Sequence, residues 1–424
     1  MPKKRWLRIV PVAVVMYAIA FINRTNVSLA LPALSRDLHM NPVQEGMVAG
    51  VFFWGYLLLQ VPGGHLAQRW SAKWFVSILL VFWGITGVAC GLVRTWQELW
   101  LARLLLGVSE SGMYPASVML FSHWFPRSER ARALAIFSLA LPISLIASSP
   151  FSGWVLDHWN WRVMLMMEGS LPFVWLAVWI AAIDDHPRQA KWISSAEREY
   201  LEKALDREAE SDPENDPFSF RKLLHPRVFL LACVSFSTLC GQLGFLFWLP
   251  SALQKAKDLS SLVVGILFTL PFIVAGISMV LNSWHSDRSG DRRLHVAVPL
   301  ALGGLFLFAG VLASARSQLL AFVFICLSGV GTFAPLGPFW TIPTETFSRK
   351  MAGAVTGLVN AIGNLGGYFG PLLVGYVDKR TGNFRYGFGA LAIIMLFGSI
   401  LALMLKRAKP RVGAATGHGE TALR

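Results

Sequence analysis

Read for its hydrophobic and polar positions, the chain is a succession of apolar runs separated by short polar breaks. A run must reach about 20 residues to cross roughly 30 Å of hydrocarbon as a helix. Twelve do, near residues 9–31, 47–67, 74–94, 98–122, 132–156, 161–183, 228–253, 262–284, 295–315, 317–342, 351–377 and 384–405. The pattern predicts an all-α membrane protein of twelve transmembrane helices, because a backbone in lipid must satisfy its own hydrogen bonds. The first run follows basic residues but continues for a full span, so it is expected to stay as an anchor and not to be cleaved as a signal peptide.

Composition agrees with the pattern. Of 424 residues, 54% are hydrophobic and only 15% charged, against about 25% charged in an average soluble domain. That is too little polar material to coat a water-facing globule of this size. The net charge of +14 raises the question of nucleic acid, since basic domains bind phosphate backbones. If the N-terminus is cytoplasmic, the loops on that side hold most of the 38 Lys and Arg, as the positive-inside rule requires. The basicity is therefore topogenic, and nucleic acid is not an expected partner. The chain is expected in a plasma membrane, the bacterial inner membrane, as a monomer with both termini cytoplasmic. Cys90, Cys233, Cys240 and Cys326 all fall within spans and read as small apolar fillers. No metal cluster, nucleophile constellation or phosphate-cradling loop is legible, so no enzyme, metal or cofactor is expected.

Between the sixth and seventh runs lies one long hydrophilic segment, residues 184–222, with nearly half of the 24 acidic residues. Ser194 and the charged stretch to Glu210 predict a capped, solvated helix, ended by Ser211, Asp212 and Pro213. The expected division is a six-helix bundle over 1–183, a cytoplasmic linker over 184–226, a second six-helix bundle over 227–407 and a disordered tail over 408–424. Shifting the first half by about 219 residues superimposes its features on the second, an internal symmetry common in secondary transporters, where one half rocks against the other around a midplane site.

Ionisable groups in hydrocarbon are costly and usually mark function. Away from the ends of its runs the first half has Arg24, Arg103, Glu110 and Glu168, and the second half has none. The first run goes outward and the fourth inward, so Arg24 and Arg103 lie at one depth, roughly 8 to 10 Å below the outer surface. Two guanidiniums at one level can form a bidentate clamp for a carboxylate. Glu110 follows Arg103 by two turns on one helix face. It is the candidate to neutralise an arginine or take up a proton, and Glu168 reads as a packing group. The uncharged half should complete the site with neutral groups, the candidates being Gln242 and Trp248, Trp340 and Thr341, and Asn360 with Asn364 one turn apart. Gly363, Gly366, Gly367, Gly370 and Pro371 predict a close-packing, bending eleventh helix.

Several of these stretches resemble known signatures. The turns Gly63 to Lys73 and His285 to Arg293 are similar to the loop signature of the major facilitator superfamily, with Arg69, Asp287 and Arg288 as the gating residues it implies. The first copy departs from the signature at Gln68 and Ser71, where an acid and a glycine are usual. The stretches Phe21 to Ser28, Arg103 to Pro115, Trp161 to Gly169 and Asn360 to Pro371 resemble the anion:cation symporter family of that superfamily over nearly the whole chain. The resemblance implies proton-coupled uptake of organic anions such as sugar acids, tartrate or aromatic carboxylates, with the proton as coupling ion and no cofactor. By motif, Arg24 and Arg103 would hold the carboxylate, Tyr56 would line the site and Glu110 would couple protons. Asn23 stands where the family has an acid, which implies a lower proton stoichiometry. Drug export and organophosphate exchange are the alternatives. Against them, the fifth run lacks the exporter pattern and the seventh lacks the phosphate-binding arginine, Arg227 only preceding it.

Overall fold

The apolar runs fold as helices, and among the described residues there is no strand. The structure is a computed structural model that describes residues 4–60, 62, 69–210, 223–257, 259–347 and 349–405. The expected tail, residues 211–222 of the linker, and Gly63 to Gln68 of the first loop copy lie outside these.

Among the described residues, ten helices are long and apolar enough to cross a membrane. They are span one, Lys4–Asp37; three, Ala72–Leu92; four, Trp96–Trp124; five, Arg132–His158; six, Trp161–Ala182; seven, Pro226–Lys255; eight, Ser261–Ser289; nine, Arg292–Ala313; ten, Gln318–Thr346; and twelve, Phe384–Leu403. Span two is a broken helix, Pro42–Gly50 and Phe52–Leu58. Span eleven is the long helix Arg349–Thr381, whose glycines, asparagines and terminal charges dilute its hydropathy. These two complete the twelve. Helix starts are fixed by caps that satisfy otherwise free N–H groups: the side chains of Asn41, Thr95, Asn160 and Ser260 accept from the first turns of spans two, four, six and eight.

Packing repeats between the halves. Span one packs on five as seven packs on eleven, and three on six as nine on twelve. Small residues allow these close approaches; a Cβ on Gly87 or on Gly169 would run into the backbone of the other. The halves meet where five packs on eight, where two packs on eleven, and where the outer part of span one touches seven.

The hydrophilic helix Ser195–Glu210 is not solvated all round. Ser194 caps it, accepting from Glu197 N–H at 3.3 Å, but Glu197 is buried and accepts from Arg5 at 2.7 Å. Arg5 also holds Glu129, just ahead of span five, at 2.5 Å. The charged run expected to face water therefore spends one acid on docking the linker to the first half.

Candidate transport site

Span one breaks at Asn26, between helices Lys4–Thr25 and Val27–Asp37. The break frees the carbonyls of Asn23 and Arg24, and Arg103 of span four donates to both, Nη1 to Asn23 O at 3.0 Å and Nη2 to Arg24 O at 2.9 Å. The last carbonyls of a helix carry partial negative charge, so a buried cation suits this place. Arg103 is only 1% exposed.

The Arg24 side chain itself turns to Glu110, with Nη2 at 3.5 Å from Oε2. Its guanidinium carbon lies 4.5 Å from the Tyr56 ring centre and 5.1 Å from that of Phe52, and Arg103 lies 5.3 Å from the same Phe52 ring. The two arginines thus share one depth, as expected. They do not form an open two-arginine clamp, and Glu110 pairs with Arg24 and not with Arg103. The helix break is the physical reason: its freed carbonyls draw Arg103, leaving Arg24 to the carboxylate. Glu110 is fully buried with Oε1 unpartnered, and Arg24 Nε is unpartnered too. Buried polar atoms rarely go unsatisfied unless something else occupies the place.

Three of the seven tyrosines converge here. Tyr56 lies under Arg24, Tyr17 stacks on Phe137 at 4.5 Å, and Tyr114 stands 5.8 Å from Tyr17. Tyr114 is 37% exposed although it is flanked by Tyr17 of span one and Phe137 of span five. Tyr17 and Tyr114 were not singled out from the sequence. The signal was available: Tyr17 lies two turns before Arg24 and Tyr114 one turn after Glu110, on shared helix faces.

The second half supplies neutral groups. Asn360 Nδ2 donates to Gln60 Oε1 across the halves at 2.9 Å, and Asn364 Nδ2 donates to Asn360 O at 2.8 Å. Gln242 is buried with Oε1 unpartnered. Trp340 is half-buried and meets Phe339 edge-on at 5.0 Å. Thr341 donates back to Pro338 O, and Trp248 donates to Pro371 O at 2.8 Å, so both are committed to packing. Phe333 of span ten reaches Phe21 of span one at 6.4 Å. Glu168 is buried and accepts from Ser152 at 2.5 Å, its Oε2 is unpartnered, and its backbone carbonyl accepts from Asn23 at 3.0 Å.

The two ends of the molecule differ. At the end remote from the N-terminus, both Asp157 carboxylate oxygens accept backbone N–H groups of Ser261 and Leu262 at 2.8 Å, joining span five to span eight. A Cβ on Gly46 or Gly50 of span two would collide with the backbone of Pro371 or Tyr368. At the other end, Gly353 and Gly357 of span eleven face open space. The contacts of Asp157, Gly46 and Gly50 between the halves are thus made at the end remote from the N-terminus. Around the loops on the N-terminal side, Asp287 pairs with Arg292 at 2.5 Å, Arg292 also holds Glu345 at 3.0 Å, and Arg288 lies over Trp284 at 4.0 Å. Arg69 is exposed.

Comparison with known proteins follows this geometry. A model of the Major Facilitator Superfamily matches residues 13–371. The chain is 33% identical over 417 residues, covering 96% of itself and 92% of the relative, to a putative tartrate transporter of Agrobacterium vitis. It is 32% identical over 415 residues, covering 94% of itself and 93% of the relative, to a quinolone resistance transporter of Acinetobacter baumannii. A bacterial homologue of the human lysosomal transporter Spinster, solved in an inward-facing, occupied conformation, shares the fold at a TM-score of 0.78 and 16% identity, over 96% of this chain and 98% of that one.

Proposed function

The chain belongs to the Major Facilitator Superfamily, and we propose that this transporter imports an organic carboxylate together with a proton by alternating access. The observation that carries the proposal is the Arg24–Glu110 pair, a buried cation and acid with unpartnered atoms on both sides. A carboxylate left without its counter-charge in a dry site is disfavoured. A proton on Glu110 cancels its hold on Arg24 and frees the guanidinium for a substrate carboxylate. Loss of that proton restores the pair and displaces the anion. A ligand shifts such an equilibrium only by binding the two states unequally, and here the proton decides which acid Arg24 holds.

The relative named for tartrate supports an organic acid as substrate. The protein is read as a monomer in a bacterial inner membrane with cytoplasmic termini, which places the Asp157 and Gly46 contacts between the halves on the outer side. Its division into bundles over 1–183 and 227–407, joined by a linker, belongs to the same reading. The test is Glu110→Gln in right-side-out vesicles. The variant is expected to keep substrate counterflow and lose proton-driven accumulation, whereas full accumulation overturns the coupling role. The relative named for quinolone resistance favours a second reading, proton-driven export. Efflux of preloaded anion against its gradient from inside-energised vesicles would select it.

A further inference from the structure

Where span two meets span eleven, two acids come together, one from each half. A Cβ on Gly375 would run into the Pro42 carbonyl oxygen, and one on Gly46 into that of Pro371, so the two helices run antiparallel with their backbones touching. Glu45 stands one turn after Pro42, and Asp378 one turn after Gly375. A helical side chain leans toward the N-terminus of its own helix. In an antiparallel pair, both carboxylates therefore lean back toward the same contact.

Both acids are buried, Glu45 at 9% and Asp378 at 5% exposed. Glu45 accepts from Ser35 Oγ at 2.5 Å. Asp378 Oδ1 accepts no hydrogen bond, and Lys255 Nζ of span seven stands 3.9 Å from it on a side chain that is 60% exposed. The charges that reach Glu45 are those of Asp378 and Lys255. His39 ahead of span two, and Lys379 and Arg380 at the end of span eleven, are exposed. One hydrated ammonium thus faces two buried carboxylates. Like charges in a dry place cannot both be held cheaply, and a proton on either acid removes the conflict. Once the helices part and water enters, each acid is stable ionised.

We propose that Glu45 and Asp378 form a second proton site, apart from Glu110, which binds one proton when spans two and eleven close on each other and releases it when they part. The inference rests on the reading of the protein as an alternating-access carrier. The closed arrangement binds more protons than the open one, so acid favours closure at this end and alkali favours opening. With cytoplasmic termini this end faces outside. Its proton then returns to the side it came from, so the site sets the conformational balance by external pH and adds nothing to the protons carried across.

The test reads the distance across the contact. Ala33 of span one and Gln254 of span seven line one cavity of about 180 Å³ between the halves at this end. Spin labels on Ala33→Cys and Gln254→Cys, with the four native cysteines replaced, report its opening in full-length protein in nanodiscs. A Glu110→Gln background removes the central proton site from the readout. From about pH 6 to about pH 8 the ratio of open to closed molecules is expected to rise about fivefold. Glu45→Gln, or Asp378→Asn should the first variant not fold, is expected to hold the ratio at its acid value throughout. Lys255→Gln should raise it further at the alkaline end, since it removes the nearby cation. A mixture of open and closed molecules whose ratio ignores pH, or a pH dependence that survives both Glu45→Gln and Asp378→Asn, overturns the proton site and leaves alternating access standing. A single distance, fixed at every pH and with or without tartrate or D-gluconate, removes alternating access and this inference together.

Discussion

Spans one, four and six carry Arg24, Arg103, Glu110 and Glu168 well inside their helices, while spans seven, ten and eleven carry the neutral Gln242, Trp340, Asn360 and Asn364. Both halves use the same packing plan, with one on five matched by seven on eleven and three on six matched by nine on twelve. The shared plan and the unequal chemistry separate two tasks. The first half must exchange partners among charges, which is efficient only when the charges lie in one rigid bundle. The second half must slide past it. Its cross-contacts include a neutral amide bond from Asn360 to Gln60, close backbone approaches and, at the outer end, the Asp157 carboxylate on two backbone amides of span eight, each net hydrogen bond worth about 1 kcal/mol or somewhat more where the acceptor is charged. Breaking these contacts separates no pair of opposite charges, so the movement meets a smaller electrostatic barrier than breaking Arg24 from Glu110 would.

This division can be broken most severely at Arg24. Arg24→Ala removes the partner of Glu110 and leaves that acid buried and unpaired. Uptake in proteoliposomes is expected to fall by about 100-fold or more, since losing one partner of a buried charge pair costs about 3 to 5 kcal/mol. The double variant Arg24→Ala/Glu110→Gln should regain thermal stability without regaining uptake, which distinguishes lost binding from lost folding.

A charge added to the neutral half should cost less but still matter. Asn364→Asp places a carboxylate, with no cation beside it, against the cleft. Uptake is expected to fall about tenfold, more steeply at high than at low pH, because protonation restores a neutral wall. A pH-independent loss would mean that the second half need not be neutral. Within the first half, Arg103→Lys keeps the charge but loses the fork that spans two carbonyls. A fall of about fivefold in kcat, with the substrate Kd little changed, would mark it as a positioning residue that holds the helix break. A large rise in Kd would return it to the substrate clamp read from the sequence.

The smallest effect is expected at the closed end. Asp157→Asn weakens one charge-assisted cap on span eight, worth about 0.5 to 1 kcal/mol at an exposed site. The fraction of molecules open at that end, read by cysteine labelling in the outer cleft, should rise by about two- to threefold with little change in affinity. An unchanged fraction would leave the closure to the glycine contacts of spans two and eleven.

The sequence by itself determined the twelve spans, the repeated halves, the confinement of mid-span charge to one half and the common depth of Arg24 and Arg103. These follow from local rules: run length, spacing along a helix, and the cost of an ion in lipid. It also marked Glu110 as the acid of the site, because a carboxylate two turns from an arginine needs no tertiary information to be noticed. The partner of that acid was another matter. Only the tertiary structure decided that Arg24 pairs with Glu110 while Arg103 serves the backbone, because this depends on where span one breaks and which carbonyls the break exposes. Tyr17 and Tyr114 likewise gained meaning only when spans one, four and five met around Phe137. Hydrophobic pattern fixes which face of a helix is buried. The choice among the polar groups sharing that face is made by geometry between helices, at distances of a few ångströms that no spacing along one chain encodes.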